Sequence, residues 1–75
     1  MQIKIRYFAW LRERRGVSEE WMTLETACTV ATLFLQIFEQ EPMGIRFAIN
    51  AEYVDGDTVI EVGDEVAFLP PMGGG

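Results

Sequence analysis

Apolar residues recur along this chain with two periods, and the switches between them outline its elements. From Gln2 to Phe8 they alternate, with Ile3, Ile5 and Tyr7 on one face and Gln2, Lys4, Arg6 and Phe8 on the other. That predicts a half-buried strand whose polar face is broken by Phe8. Ala9–Arg15 reads as about two turns of helix, stopped by Gly16 in a left-handed conformation. Its arginines sit at the negative end of the helix dipole, and recognition of an acidic partner or anion is the alternative use for them. Glu20–Glu25 predicts a second strand, antiparallel to the first, with Met22 and Leu24 facing the core and Trp21 facing outward. Thr29 offers an N-cap hydroxyl for the main helix, which should end at Glu39 or Gln40. Within it Val30, Leu33, Phe34, Ile37 and Phe38 keep helical spacing and make one apolar stripe.

Pro42 disfavours helix at Glu41, and Gly44 provides a turn. Arg46–Ile49 predicts a third strand with Phe47 and Ile49 inward. Asn50-Ala51-Glu52 turns into a short Tyr53-Val54 strand, and Asp55-Gly56-Asp57 turns again. Val59, Ile60 and Val62 are expected to tack an irregular connection onto the core. After a turn at Gly63-Asp64, Glu65–Leu69 forms the last strand, Val66 and Phe68 pointing one way, Ala67 and Leu69 the other. This order predicts an α+β domain: a mixed sheet of about four or five strands with the main helix on one face. The opposite face would collect Phe8, Tyr53 and Leu69, a patch suited to docking a partner. Scattered surface hydrophobes are the plain alternative.

Composition narrows the function. The chain has 75 residues, 49% of them hydrophobic, enough for one small core but leaving little room for a deep active site. That counts against a self-sufficient enzyme. Twelve acidic and six basic residues give a net charge of −6, which disfavours nucleic acid and anionic membranes and favours a basic protein partner. Cys28 is the only cysteine, so an intramolecular disulfide is excluded and a reducing cytoplasm is the natural setting. Its place just before Thr29 suits a small buried hydrophobe better than an activated thiol. Without histidine the common soft-metal ligand sets are missing. Asp55, Asp57 and Glu61 lack the spacing of an EF-hand loop and read as solvated turn carboxylates. No apolar run reaches the ~18 residues of a membrane span, and no signal-peptide pattern is present.

The candidate chemistry lies in Pro70-Pro71-Met72-Gly73-Gly74-Gly75. Glycines lack a Cβ and can enter a channel closed to side chains. They lead to the α-carboxylate of Gly75, whose pKa of roughly 3.3–3.7 makes it an anion and a poor electrophile at neutral pH. The prolines stop the last strand and stiffen the exit from it. Residues 1–71 are therefore expected to form the folded domain and 72–75 a flexible tail. A thin arm bearing one carboxylate suits a carrier whose terminus is activated inside another protein; a frayed end or an artificial glycine run is the alternative.

Several segments carry a family resemblance. Ile5-Arg6-Tyr7-Phe8-Ala9 with Leu11-Arg12-Glu13 and Gly16, Thr29-Val30, Ala48-Ile49-Asn50 with Glu52-Tyr53-Val54, and Gly63-Asp64-Glu65-Val66-Ala67 running into the Pro-Pro-x-x-Gly-Gly ending resemble the small, sulfur-carrying subunit of molybdopterin synthase. Glu25-Thr26-Ala27-Cys28 departs from that pattern, lacking the glycine that often precedes the Thr-Val pair. The resemblance implies a ubiquitin-like β-grasp fold with the first and last strands parallel at the sheet centre. It also implies a cycle. An activating enzyme uses ATP to adenylate Gly75, a sulfur donor converts the terminus to a thiocarboxylate, and the large synthase subunit passes that sulfur to cyclic pyranopterin monophosphate. In this scheme the chain is not catalytic alone and holds no bound cofactor. Gly73 and Gly74 thread the tail, while Phe8, Tyr53, Leu69, Pro70, Pro71 and Met72 meet the partner. A thiamine-pathway sulfur carrier is the nearest rival, although that family typically lacks a helix matching Ala9–Arg15. A ubiquitin-type modifier joining Gly75 to lysines and a binding module with an inert tail are the others.

Overall fold

In the computed structural model, which describes residues 1–71, the alternation in the first segment is expressed as burial. Ile3, Ile5 and Tyr7 lie inside while Gln2 and Arg6 are exposed. The elements are β1 (Gln2–Tyr7), α1 (Ala9–Arg15), β2 (Glu19–Thr23), α2 (Val30–Phe38), β3 (Arg46–Ile49), β4 (Glu52–Val54) and β5 (Glu65–Leu69). The strands form one sheet in the order β2-β1-β5-β3-β4. β1 runs antiparallel to β2 and parallel to β5, and β3 runs antiparallel to both β5 and β4. The first and last strands thus lie side by side within the sheet, which is the β-grasp arrangement. No helix among the described residues is long and apolar enough to cross a membrane.

α2 covers one face of the sheet. Thr29 caps it in an extended conformation, its Oγ1 accepting the N–H of Thr32 at 3.1 Å, so one orphan donor of the first turn is satisfied. The stripe holds: Val30, Leu33, Phe34 and Phe38 are buried, with Ile37 partly so. Opposite them Val66 and Phe68 of β5 are completely buried. The Phe68 ring lies 5.2 Å from Phe34, 5.8 Å from Phe47, 6.2 Å from Tyr7 and 6.3 Å from Phe38. Such aromatic pairs contribute about 0.5–1.5 kcal/mol each beyond their buried area.

Three expectations need adjusting. α2 stops at Phe38, because Glu39 takes a left-handed conformation (φ 56°) and its N–H bonds back to the Leu35 carbonyl at 2.8 Å. This early stop frees the Gln40 side chain, whose Oε1 accepts from Arg14 Nη1 at 2.7 Å. β2 begins at Glu19 and ends at Thr23, although Leu24 just beyond it is still buried. In the connection before β5 only Ile60 enters the core, while Val59 and Val62 are exposed. The cause is pairing with the segment that precedes α2: Val59 bridges Thr29 and the Ile60 N–H bonds to the Cys28 carbonyl at 3.0 Å. That extended pairing sends neighbouring side chains to opposite sides. Cys28 packs against the core, and burial raises its thiol pKa, as suits a small hydrophobe.

The arginines of α1 bind it to the body. Arg14 lies over the Phe38 ring at 5.5 Å. Arg15 Nε donates to Glu20 Oε2 at 2.6 Å, and the same oxygen accepts from the Tyr7 hydroxyl. The bond from Arg15 holds the Glu20 carboxyl below the usual carboxylate range. Burial, reinforced by Glu20, pushes the Tyr7 phenol well above its ordinary value. A carboxylate whose folded pKa is depressed stabilises the fold above its unfolded value of about 4.3, and that contribution fades as pH falls through the lowered folded value. Glu20→Gln should therefore cost about 1 kcal/mol at pH 7. Urea midpoints measured against pH should show wild type and variant converging in acid.

Candidate functional site

On the sheet face away from α2, the registers align outward-pointing residues of neighbouring strands. Arg6 stands beside Ala67, Ala67 beside Ala48, and Ala48 beside Tyr53. One step toward the C-terminal end, Leu69 pairs with Arg46, and Phe8 follows the end of β1. Small residues in the middle with larger ones around them leave a dish of ≈ 220 Å³, lined by Arg6, Phe8, Ala48, Ala51, Tyr53, Glu65, Ala67 and Leu69. Phe8, Tyr53 and Leu69, expected to share this face, line one concavity. Tyr53 is among the most exposed large side chains, at 64%.

Both rim aromatics carry a cation. The Arg6 guanidinium lies 5.2 Å from the Phe8 ring centre and that of Arg46 4.5 Å from the Tyr53 ring centre. Arg6 also approaches Glu65 Oε1 at 3.9 Å. Arg46 and Tyr53 together line a wider, more open depression of ≈ 630 Å³ that continues past Val54 to Thr58. The alanines of the dish were missed in the sequence because each looks like an ordinary strand residue. The available signal was that Ala48 and Ala67 both occupy outward positions in strands that pair.

The β3–β4 hairpin closes one side of the dish. Asn50 and Ala51 both have positive φ, 52° and 71°, as a two-residue type I′ turn requires. Asn50 suits its position and also ties the turn to β5: its Oδ1 accepts the Glu65 N–H and its Nδ2 donates to Asp64, each at 3.0 Å. Ala51 has no such compensation, since an L-side chain there meets the following carbonyl. It holds a methyl group against the dish at a cost in backbone strain.

The strand bearing Ala67 and Leu69 leads straight to the C-terminal segment. Pro70 is buried and Pro71 exposed. Pro70, expected at the partner surface, therefore serves in this conformation as an anchor of the segment. Pro71 rests over Gly44, its Cγ 3.6 Å from the point where a Cβ on that glycine would lie. The turn at Gly44 thus sets the base from which the chain leaves. Met72, Gly73, Gly74 and Gly75, the remaining residues assigned to the tail and its chemistry, lie outside the described residues.

A β-grasp domain with an apolar dish at the head of its last strand, followed by a glycine ending, has the build of a ubiquitin-like carrier or modifier. The chain belongs to the ThiS family, whose profile matches residues 5–75. It is 39% identical over 83 residues to the molybdopterin synthase sulfur carrier subunit of Chlamydomonas reinhardtii, with 100% of both chains covered. It is also similar to a putative molybdopterin converting factor, subunit 1, from Pyrococcus furiosus. That likeness has a TM-score of 0.77 and 27% identity, over 96% of this chain and 99% of the other. One chain of a complex of subunits 1 and 2 of the molybdopterin-converting factor from Helicobacter pylori shares the fold, with a TM-score of 0.66 and 22% identity over 100% of this chain and 100% of that one.

Ala51→Gly should release the turn strain and raise stability by about 1 kcal/mol, the penalty of the left-handed region exceeding the extra chain entropy of glycine. Chemical denaturation of the two proteins side by side checks this.

Proposed function

We propose that this chain is the sulfur carrier of molybdenum cofactor biosynthesis, acting as the small subunit of a two-subunit molybdopterin synthase. The observation that carries the proposal is the continuity of β5: one strand presents Ala67 and Leu69 to the dish and then feeds Pro70, Pro71 and the glycine ending. Docking at the dish and delivery of the terminus are thereby mechanically one event. The full-length likeness to a molybdopterin synthase sulfur carrier subunit and the neighbour solved with its second subunit support the same reading.

The chemistry follows from what a carboxylate lacks. As an anion the Gly75 terminus resists nucleophilic attack, so an activating enzyme first joins it to the α-phosphate of ATP, releasing pyrophosphate. The acyl-adenylate is a competent electrophile; hydrosulfide supplied by a sulfur donor attacks its carbonyl carbon, the C–S bond forms, and AMP departs with the electrons of the broken C–O bond. The resulting thiocarboxylate enters the large subunit, where its sulfur bonds to a carbon of cyclic pyranopterin monophosphate and water then cleaves the C–S bond to the carrier, returning Gly75 as a carboxylate. Gly73 and Gly74 suit this entry because no side chain widens the thread. Phe8, Tyr53 and Leu69 provide the docking area, and Pro71 and Met72 lie between it and the reactive end. Catalytic side chains, ATP and sulfur donor all belong to partners. The single cysteine, Cys28, fits a reducing cytoplasm as the place of work.

Intact-protein mass after incubation with ATP, an adenylating enzyme and a sulfur donor tests the reading. The expected shift is replacement of one oxygen by sulfur, confined to the C-terminal peptide. An unchanged mass with demonstrably active partners would overturn it. Gly74→Leu should abolish that shift or the later transfer while leaving the thermal melting curve of the domain unchanged, because the substitution lies beyond β5.

A further inference from the structure

We infer that the partner surface received by the dish presents one apolar side chain with a carboxylate beside it, and that Arg46 is the residue that reads the carboxylate. The inference rests on the docking role just proposed and adds the chemistry of what docks. The dish, at ≈ 220 Å³ with alanines in its middle, has room for a leucine- or phenylalanine-sized group. Its charged neighbours differ in how they are employed. Arg6 stacks on Phe8 and has Glu65 within 3.9 Å, so its charge is partly answered inside the chain. Lys4, lower on the same face, pairs with Glu19 at 3.1 Å. Arg46 is exposed and stacks on Tyr53; Asp55 lines the same depression, yet among the described residues no carboxylate comes within ion-pair distance of Arg46. A guanidinium held over a ring keeps its in-plane N–H donors free for a carboxylate, in a geometry that a carboxylate meets two bonds at a time.

Position gives this cation its meaning. Arg46 lies opposite Leu69 in the β3–β5 register, so it flanks the strand that carries the C-terminus out. In a chain of net charge −6, the overall field draws a basic protein, whereas this corner calls for an acidic group. A mixed requirement of this kind discriminates among partners more sharply than apolar contact alone, because a wrong partner leaves a charge unmatched.

The test uses the full chain and the large subunit of molybdopterin synthase, with affinity measured at low and at physiological salt. Arg46→Gln should weaken binding on the order of tenfold at low salt, with a smaller loss at higher salt, and Arg46→Glu should weaken it further. Unchanged or tighter binding by Arg46→Glu would overturn the inference. Ala67→Trp, which fills the dish, separates this from the underlying reading: its binding should be lost. If Ala67→Trp and Leu69→Ser, both confirmed folded by circular dichroism, bind like wild type, the docking reading fails. If they lose binding while Arg46→Glu does not, only the acidic neighbour is refuted.

Discussion

The structure depends on how Phe68 is held. Its ring is completely buried and meets Tyr7, Phe34, Phe38 and Phe47, so β1, α2 and β3 all converge on one side chain of the last strand. Emptying a buried phenylalanine site costs about 3–5 kcal/mol, a large part of the ~5–15 kcal/mol by which small domains are stable. The same strand turns Ala67 and Leu69 to the other face, where they line the dish. Strand alternation lets five consecutive residues serve as keystone and contact surface at once. The face that carries the dish is therefore backed directly by the core.

Most of the fold was legible because its signals are periodic. The stripe from Val30 to Phe38 and the alternation from Gln2 to Tyr7 and from Glu65 to Leu69 each admit one element and one buried face. Thr29 was recognisable as a cap because few residue types can take an orphan N–H. Errors fell where no period exists. Val59 and Val62 are apolar, yet a bridge between Thr29 and Val59 decides which side of the chain faces in, and that contact is remote in sequence. Glu39 was expected within the helix, but the terminus there is set by its left-handed backbone rather than by any residue preference.

The site was half legible. Phe8, Tyr53 and Leu69 stood out because they are large and out of phase. Ala48, Ala51 and Ala67 also line the dish, but a small residue announces itself only when its neighbours across the sheet are known. Arg46 was hidden for a related reason. Net charge sums over the whole chain, whereas recognition acts over a Debye length of about 10 Å. The basic cluster of α1 shows the converse: Arg14 and Arg15, conspicuous in the sequence, are spent on Gln40, Phe38 and Glu20 within the molecule.

The placement of β5 between β1 and β3 has a mechanical consequence. Traction applied beyond Pro71 runs along a strand bonded on both flanks, so the two ladders share the load in shear and cannot be unzipped one bond at a time. An edge strand in that place would peel. Whatever grips the end of this molecule can therefore tug on it, or let it go, while the globule behind stays whole.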